Sequence, residues 1–394
     1  MKKPQSTPGY LSKHLSALDL NGDGKIDISD FGSLFGSNRK AQSVLPALEQ
    51  KVSKAFSRND KALGKLSVTI RDKVGSNRPL AQKSRFSMAD RRMDAILKRL
   101  QLDFSDSDLE KLRSDYLDCL DSLKDLEEEI SSLVASSSLA DEKDRGKIEK
   151  RLEKAEKLRS ILHEKRQKLL SDFRDNFAIY NVKVSIEQAE VLLSRIDSND
   201  VIHMTSVFAI TAQLTNQFSE AKEASGESTA TAQKYYAMYI GLLQLQELIQ
   251  SKYVERMDES YLPGISSITR DAEQLVEETQ VLMKNMPTEH LRSYESNLQS
   301  QEFTIEVASI YKSALMEDRT RAIQAREIIR NLLRLAENTL KTVKIAADLV
   351  SIMKDSQGLY DEVMLLQTPS LVPFDNLELK KEFQAVTEKL RLGS

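Results

Sequence analysis

The chain of 394 residues contains no tryptophan, one cysteine, 8 prolines and 13 glycines. A single cysteine, Cys119, excludes an intramolecular disulfide, so nothing in the sequence indicates an oxidising compartment. The scarcity of helix-breaking residues, with 30% charged and 40% hydrophobic residues, favours long helices. These absences predict an all-α protein that is large enough for two or three domains.

The sequence also lacks a long hydrophobic run. Its most apolar stretch, "YYAMYIGLLQL" at residues 235–245, is well short of the ~18 residues that span a bilayer. The first residues, "MKKPQSTPGYLSKH", have no apolar segment and so do not match a Sec signal peptide. We therefore expect a soluble, cytoplasmic protein. A polar start is also compatible with export by a route that uses no cleaved signal.

Charge is distributed unevenly, although the formal net charge is only −3. Residues 31–100 hold 16 Lys/Arg against 5 Asp/Glu, whereas residues 101–145 hold 5 Lys/Arg against 14 Asp/Glu. The basic segment predicts an anionic partner. We favour docking on the acidic residues 101–145 or on a protein partner. An acidic membrane surface is an alternative, and nucleic acid is disfavoured because few aromatic residues lie between the cations.

An unusually regular apolar pattern begins at residue 108. Its positions alternate spacings of 3 and 4, which predicts a left-handed coiled-coil seam; they are Leu109, Leu112, Tyr116, Cys119, Leu123, Leu126, Ile130 and Leu133. A second helix over 146–177 is basic and has Arg159 and Arg166 at its seam positions. Opposite charge on the two helices predicts an antiparallel hairpin.

Helical periodicity predicts most of the remaining elements. Helices are expected at 9–18, 43–57, 184–196, 201–224, 229–259, 265–285, 288–355 and 375–392. Residues 74–86 resemble a polar linker that ends at a capping pattern on Ser87. "KLSVTI" at 65–70 shows strand-like alternation, and "LPG" at 262–264 predicts a firm break.

The stretch "DLNGDGKIDISD" carries the clearest chemistry. Oxygen-bearing groups recur at positions 1, 3, 5, 7, 9 and 12 of a twelve-residue loop, as a hard dication requires; they belong to Asp19, Asn21, Asp23, the carbonyl of Lys25, Asp27 and Asp30. Gly24 permits the sharp bend at position 6. The pattern predicts a calcium site.

This loop resembles the EF-hand family, and its residue pattern is similar to that of the dockerin-type calcium loop. The resemblance covers roughly residues 10–35. Position 12 is Asp30 rather than the usual Glu, which implies weaker calcium binding, on the order of 10⁻⁵ to 10⁻³ M, with tolerance of Mg²⁺. A second intact loop is lacking, so the cohesin-binding function of dockerins is not inherited.

Residues typical of catalytic motifs are sparse. The four histidines lie far apart in sequence and match no metal-binding motif; they are His14, His163, His203 and His290. Cys119 occupies a coiled-coil seam, where a buried, inert thiol is expected. These patterns predict a protein that is not an enzyme.

Four regions follow from these patterns: an EF-hand-like N-terminal module (1–75), a basic linker and helix (76–100), a charged antiparallel coiled-coil hairpin (101–180) and a multi-helix bundle (181–392). We expect a helical scaffold or adaptor that binds proteins through helix surfaces, or itself through the coiled coil, with a Ca²⁺ loop that orders its N-terminal module. An alternative is a membrane-active protein or secreted effector whose hairpin, 201–259, engages lipid. A weaker alternative is nucleic-acid binding through residues 31–100.

Overall fold

The computed structural model describes the backbone of residues 41–75, 88–139, 141–224, 229–284, 291–342, 346–367, 369, 371, 374 and 377–393. Every regular element in these residues is a helix, which confirms the predicted all-α class. The helix predicted at 9–18, the cation loop and Ser87 lie outside the described residues.

The helices are numbered in chain order. The first six are α1 (Ala41–Gly75), α2 (Met88–Asp103), α3 (Ser107–Leu139), α4 (Glu142–Phe177), α5 (Ile186–Ser194) and α6 (Ser198–Ala224). They are followed by α7 (Thr229–Arg256), a π-helical segment (Met257–Tyr261), α8 (Leu262–Lys284), α9 (Leu291–Thr342), α10 (Ala346–Asp355), α11 (Gln357–Gln367) and α12 (Leu377–Gly393). A short 3-10 turn, Ala178–Tyr180, follows α4.

Helix α7 lies at the centre of the bundle, where it contacts α1, α2, α6, α9 and α10. Every residue from Tyr236 to Gln246 is buried, as an apolar helix surrounded on all sides requires. The apolar helices over 201–259 thus pack in the protein core. Among the described helices, none is both long and apolar enough to cross a membrane.

Helix α1 is longer than the sequence predicted, and the strand-like interpretation of residues 65–70 is wrong. Leu63, Leu66 and Ile70 are buried at the spacing of one helix face, whereas Val68 is 48% exposed. This face packs closely on Gly241 of α7, because a Cβ atom at Gly241 would lie 2.5 Å from Leu66 Cδ2. Tertiary packing therefore selects the helical period over the alternating one.

The break predicted at "LPG" is also wrong, because the chain stays helical from α7 into α8. Pro263 has no amide hydrogen, and its ring would clash with the carbonyl four residues earlier in a regular α-helix. The π-helical segment immediately before it widens the turn, and the Leu262 amide donates to the Met257 carbonyl, five residues back. The proline is accommodated by this local change of helix type.

Helices α3 and α4 pack against each other in antiparallel orientation. The Cys119 thiol lies 3.4 Å from the Leu162 carbonyl, and Arg151 pairs with Glu129 at 3.1 Å, so residue numbers rise on one helix as they fall on the other. Six of the eight seam side chains are buried; they are Leu109, Tyr116, Cys119, Leu123, Leu126 and Leu133.

Candidate functional site

The residues predicted to bind a cation lie outside the described residues; they are Asp19, Asn21, Asp23, Lys25, Asp27 and Asp30. In the part of the chain that the structure describes, no group of three or more His, Cys, Asp or Glu side chains is placed to hold a metal ion. The calcium loop stays a prediction. The polar chemistry that can be described lies in the helical bundle.

An enclosed ion pair occupies the connection between α5 and α6. Arg195 Nε and Nη2 donate to Oδ1 and Oδ2 of Asp197, each at 2.8 Å. The same Nη2 contacts Oδ2 of Asp318 in α9. The side chains of Arg195 and Asp197 are 2% and 0% exposed, so solvent does not screen their attraction.

Two further helices contribute to this buried centre. Tyr253 of α7 donates its hydroxyl to Asp197 Oδ2 at 2.8 Å. Arg113 of α3 donates to the Arg195 carbonyl at 2.8 Å. Helices α3, α7 and α9 are therefore all joined to the short connection between α5 and α6.

Burial and ionic attraction oppose each other in the centre. Burial lowers the pKa of Arg195, but Asp197 and Asp318 outweigh it and leave that pKa well above its usual value. Burial raises the pKa of Asp197, yet Arg195 brings it below its usual value. Burial and the negative charge of Asp197 both raise the pKa of Asp318. Together they outweigh the attraction from Arg195 and Arg321, which lowers it, so the pKa stays above its usual value. The charged side chains pair with one another inside the protein, so the arrangement connects the helices that carry them. We call these paired side chains of Arg195, Asp197 and Asp318 the clamp.

Asp200, in the first turn of α6, lies beside this centre. Its Oδ1 pairs with Arg256, and its Oδ2 accepts a hydrogen bond from the Tyr261 hydroxyl at 2.8 Å. Burial raises the pKa of the Asp200 carboxyl to about 6, although Arg256 and Tyr261 each lower it. The carboxyl therefore changes protonation in the mildly acidic range.

An open cleft of about 330 Å³ adjoins Asp200; it is lined by Gln101, Lys252, Glu255, Arg256 and Glu259. Lys252 Nζ donates to Gln101 Oε1 at 2.8 Å, which connects α7 to α2. The lining combines two cations with two anions. It therefore does not select a ligand of one charge.

His203 lies in α6 near the cleft. Burial, with a smaller contribution from the charges of Arg256 and Lys252, lowers its pKa to about 4, so the ring is neutral at physiological pH. Its Nε2 is buried without a hydrogen-bond partner among the described residues. His163 is exposed on α4, and the other two histidines fall outside the described residues.

Cys119 is buried in the α3–α4 seam, as the sequence predicted. Burial raises the pKa of its thiol, although Lys165 and Arg166 lower it. A protonated thiol beside the Leu162 carbonyl is a poor nucleophile. The Cys119 side chain therefore packs between α3 and α4, and nothing in its surroundings activates the thiol.

Asp106 joins the basic and acidic segments of the sequence. Its side chain accepts from Lys51 of α1 at 2.6 Å and from the Tyr180 hydroxyl at 2.5 Å. Its Oδ1 also accepts the backbone amides of Asp108 and Leu109, and so caps α3. Burial raises the pKa of Asp106, but its hydrogen bonds to Lys51 and Tyr180 bring it below its usual value.

Glu190 in α5 explains an arginine that the sequence placed in an apolar seam. Its Oε1 pairs with Arg166 of α4 and with Lys380 of α12 at 2.6 Å. The Tyr116 hydroxyl donates to the same oxygen at 3.2 Å. Burial raises the pKa of Glu190, but Lys380 and Arg166 outweigh it and the net pKa is lowered. Sequence periodicity showed the polar interruption at Arg166 but not its partner.

No known protein family, curated protein or solved structure matches this chain. Its described residues define an all-α bundle in which three carboxylates join helices that are distant in sequence: Asp106 and Asp197, which are buried, and Glu190, which is partly buried.

Proposed function

We propose that the protein is a non-enzymatic helical scaffold that assembles with a second copy of itself through α3 and α4. We further propose that a calcium loop at residues 19–30 orders its N-terminal module. The exposed surface of the α3–α4 pair supports the first part, and the ligand spacing of the loop supports the second.

The outer part of the α3–α4 pair carries the assembly proposal. Of the described side chains between residues 127 and 160, only Leu133 and Ala155 are buried, although both helices continue through this part. Each helix therefore covers one side of the other and leaves its remaining surface open. A second pair of helices can pack on that surface in the manner of a four-helix bundle.

Among the described side chains of this pair, three large apolar ones are exposed. Val134 of α3 is 50% exposed, and Leu158 and Ile161 of α4 are 47% and 60% exposed. Leu158 and Ile161 lie on one face of α4 because they are three positions apart. Because about half of each side chain is already covered, burying the rest in an interface is favourable by about 1 kcal/mol for each.

Charge on the pair fits the same partner. The segment 101–145 is acidic and the segment 146–177 is basic, and most of their charged side chains are exposed. An antiparallel second copy places α3 of one chain beside α4 of the other, so that opposite charges face each other. A symmetric dimer of this kind uses the same surface twice.

Sedimentation equilibrium tests the assembly. The wild type is expected to form a dimer, and Leu158→Glu with Ile161→Glu is expected to be monomeric. Leu275→Glu with Leu282→Glu is the matched control, since these α8 side chains are 49% and 44% exposed; it should remain dimeric. A monomeric wild type, or a dimer that survives the α4 substitutions, would refute the assembly.

Calorimetry tests the calcium loop. Titration of wild-type protein with Ca²⁺ should release heat that is lost in Asp19→Ala, because position 1 supplies a direct ligand. Hydrogen exchange in residues 1–40 should slow on Ca²⁺ addition to the wild type, because binding couples to local folding. Equal heats from the two proteins would remove the metal site.

A further inference from the structure

The outward surface of α1 carries an uninterrupted row of cations. Lys54, Arg58, Lys61 and Lys65 are spaced by 4, 3 and 4 residues, which places them on one face, and all four are exposed. This face is opposite the one that packs on α7. Lys51 of the basic segment pairs with Asp106 of the acidic segment at 2.6 Å, whereas the row itself faces solvent.

Helix α2 extends the row into a wider surface. Arg91 and Lys98 are exposed and lie on the same face as Ala95 and Leu102. Arg99 Nη2 lies 3.5 Å from the Arg58 carbonyl, so α2 places its cations beside those of α1. We call this surface the cationic face; its members are Lys54, Arg58, Lys61, Lys65, Arg91 and Lys98.

Acidic residues lie around the cationic face. Asp72 follows one turn after Val68 on α1, and Asp103 is engaged by Arg99 at 3.3 Å. Asp94 lies beside the cations of α2, because it is three positions after Arg91 and four before Lys98. The row on α1 is not interrupted by an acidic side chain, so its four cations act together on a partner.

The same surface exposes apolar side chains. Leu102 is 76% exposed beside Lys98, and Val68 is 48% exposed beside Lys65. Cations one turn away from an exposed leucine match a lipid interface, where the charges meet headgroups and the leucine enters the boundary with the acyl chains. Nucleic acid would instead favour aromatic side chains for stacking, and Ala95, Val68 and Leu102 are the side chains that lie between or beside the cations.

We propose that the cationic face docks on an acidic phospholipid membrane, with Leu102 inserted at the headgroup boundary. This docking is independent of the calcium loop and of assembly through α3 and α4. It uses the exposed side chains of α1 and α2 while both helices stay packed on the bundle. The core helices α6 and α7 stay folded in the bundle.

Flotation of the full chain with vesicles tests the docking, with EDTA present so that the calcium loop plays no part. The wild type should float with vesicles of phosphatidylcholine and phosphatidylserine and not with phosphatidylcholine alone. The triple variant Lys54→Gln, Lys61→Gln, Lys65→Gln should bind about 100-fold more weakly, since each cation near an acidic surface contributes about fivefold. Leu102→Gln should weaken binding several-fold without a change in charge.

The matched control removes three exposed cations that lie outside both the cationic face and the α3–α4 pair; they are Lys284 of α8, Lys341 of α9 and Lys389 of α12. Its Lys→Gln variant has the same net charge as the α1 variant and should float like the wild type. Circular dichroism melting verifies that each variant folds. Failure of the wild type to float, or equal losses in both triple variants, would overturn the proposal. A mobility shift of DNA or RNA that depends on the α1 lysines, without flotation, would assign the face to nucleic acid instead.

Discussion

Arg195 and Asp318 are 123 positions apart in the sequence and form an ion pair in the protein interior, where the two side chains are 2% and 4% exposed. The pair joins the α5–α6 connection to the long helix α9. A buried charge that loses its partner is left without compensation, so this contact is expected to contribute much more to stability than a surface pair.

Replacing Arg195 tests this expectation. Arg195→Met removes the cation that Asp197 and Asp318 share and leaves two carboxylates buried without it, so it should lower the free energy of unfolding by about 3–5 kcal/mol. Urea denaturation followed by circular dichroism measures the change. Arg319→Met is the matched control, because Arg319 pairs with Asp258 at 34% and 43% exposure and should cost less than about 1 kcal/mol. Similar losses in the two variants would contradict the clamp.

Asp200 should make stability fall as pH rises. Its pKa is about 6 in the folded state and 3.8 in the unfolded state, so the folded state binds the proton more tightly. The contribution of this proton to the free energy of unfolding is therefore lost as pH rises from about 4 to 6. Raising the pH through this window should destabilise the wild type relative to Asp200→Asn by about 3 kcal/mol. Unfolding free energies of both proteins across the window measure it; parallel pH profiles would contradict the prediction.

His203 should have the opposite effect. Its folded pKa of about 4 lies below the unfolded value of 6.5, so protonation favours the unfolded chain as pH falls from about 6.5 to 4. The wild type should lose about 3 kcal/mol relative to His203→Gln over this range. The contributions of Asp200 and His203 nearly cancel in the wild type. Each single variant should therefore show a pH slope that the wild type hides, and a flat profile in His203→Gln would contradict this account.

Two glycines should respond to alanine with opposite signs. A Cβ at Gly241 would lie 2.5 Å from Leu66 Cδ2, and Leu66 is fully buried, so Gly241→Ala should destabilise by about 1–3 kcal/mol. Gly146 in α4 has nothing within 4 Å of such an atom, and Gly146→Ala should stabilise by about 0.5–1 kcal/mol through helix propensity. Thermal melts of both variants measure the difference. A stabilised Gly241→Ala would show that α1 does not pack tightly on α7.

Position 12 of the predicted calcium loop should limit its affinity. Asp30→Glu lengthens the side chain by one methylene, which favours bidentate ligation and should tighten Ca²⁺ binding by about tenfold relative to Mg²⁺. Competition calorimetry measures the ratio. Asp27→Glu is the control, because position 9 often binds through a water and gains no second oxygen. An unchanged ratio in Asp30→Glu would argue against an EF-hand geometry.

Local periodicity predicted many of the described elements well. The helices predicted at 201–224 and 375–392 correspond closely to α6 and α12, because turn-forming residues flank α6 and an apolar stripe marks α12. Residues 65–70 were misassigned because Leu66, Val68 and Ile70 fit alternation as well as a helical face. Only the contact of Leu66 with Gly241, far along the chain, distinguishes the two.

The buried centres could not be predicted from the sequence. Arg166 was visible as a polar residue in an apolar seam, but nothing local indicated that Glu190 and Lys380 would compensate it. Similarly, Pro263 predicted a break because the π-helical segment that accommodates it has no recognisable sequence pattern. In both cases the deciding interaction depends on side chains or backbone geometry that spacing does not reveal.

The sequence by itself determined the all-α class, the apolar seam of α3 and the charge asymmetry along the chain, because helical period and composition are properties of neighbouring residues. The tertiary structure alone decided that α7 is central, that Arg195 meets Asp318, and that Lys54, Lys61 and Lys65 of α1 face solvent while Lys51 meets Asp106. The physical reason is that burial and ion pairing depend on which helices pack together, and those helices are separated by up to hundreds of residues. Neighbouring residues determine which side of a helix is apolar or charged, and the packing of the helices determines which side chains that side contacts.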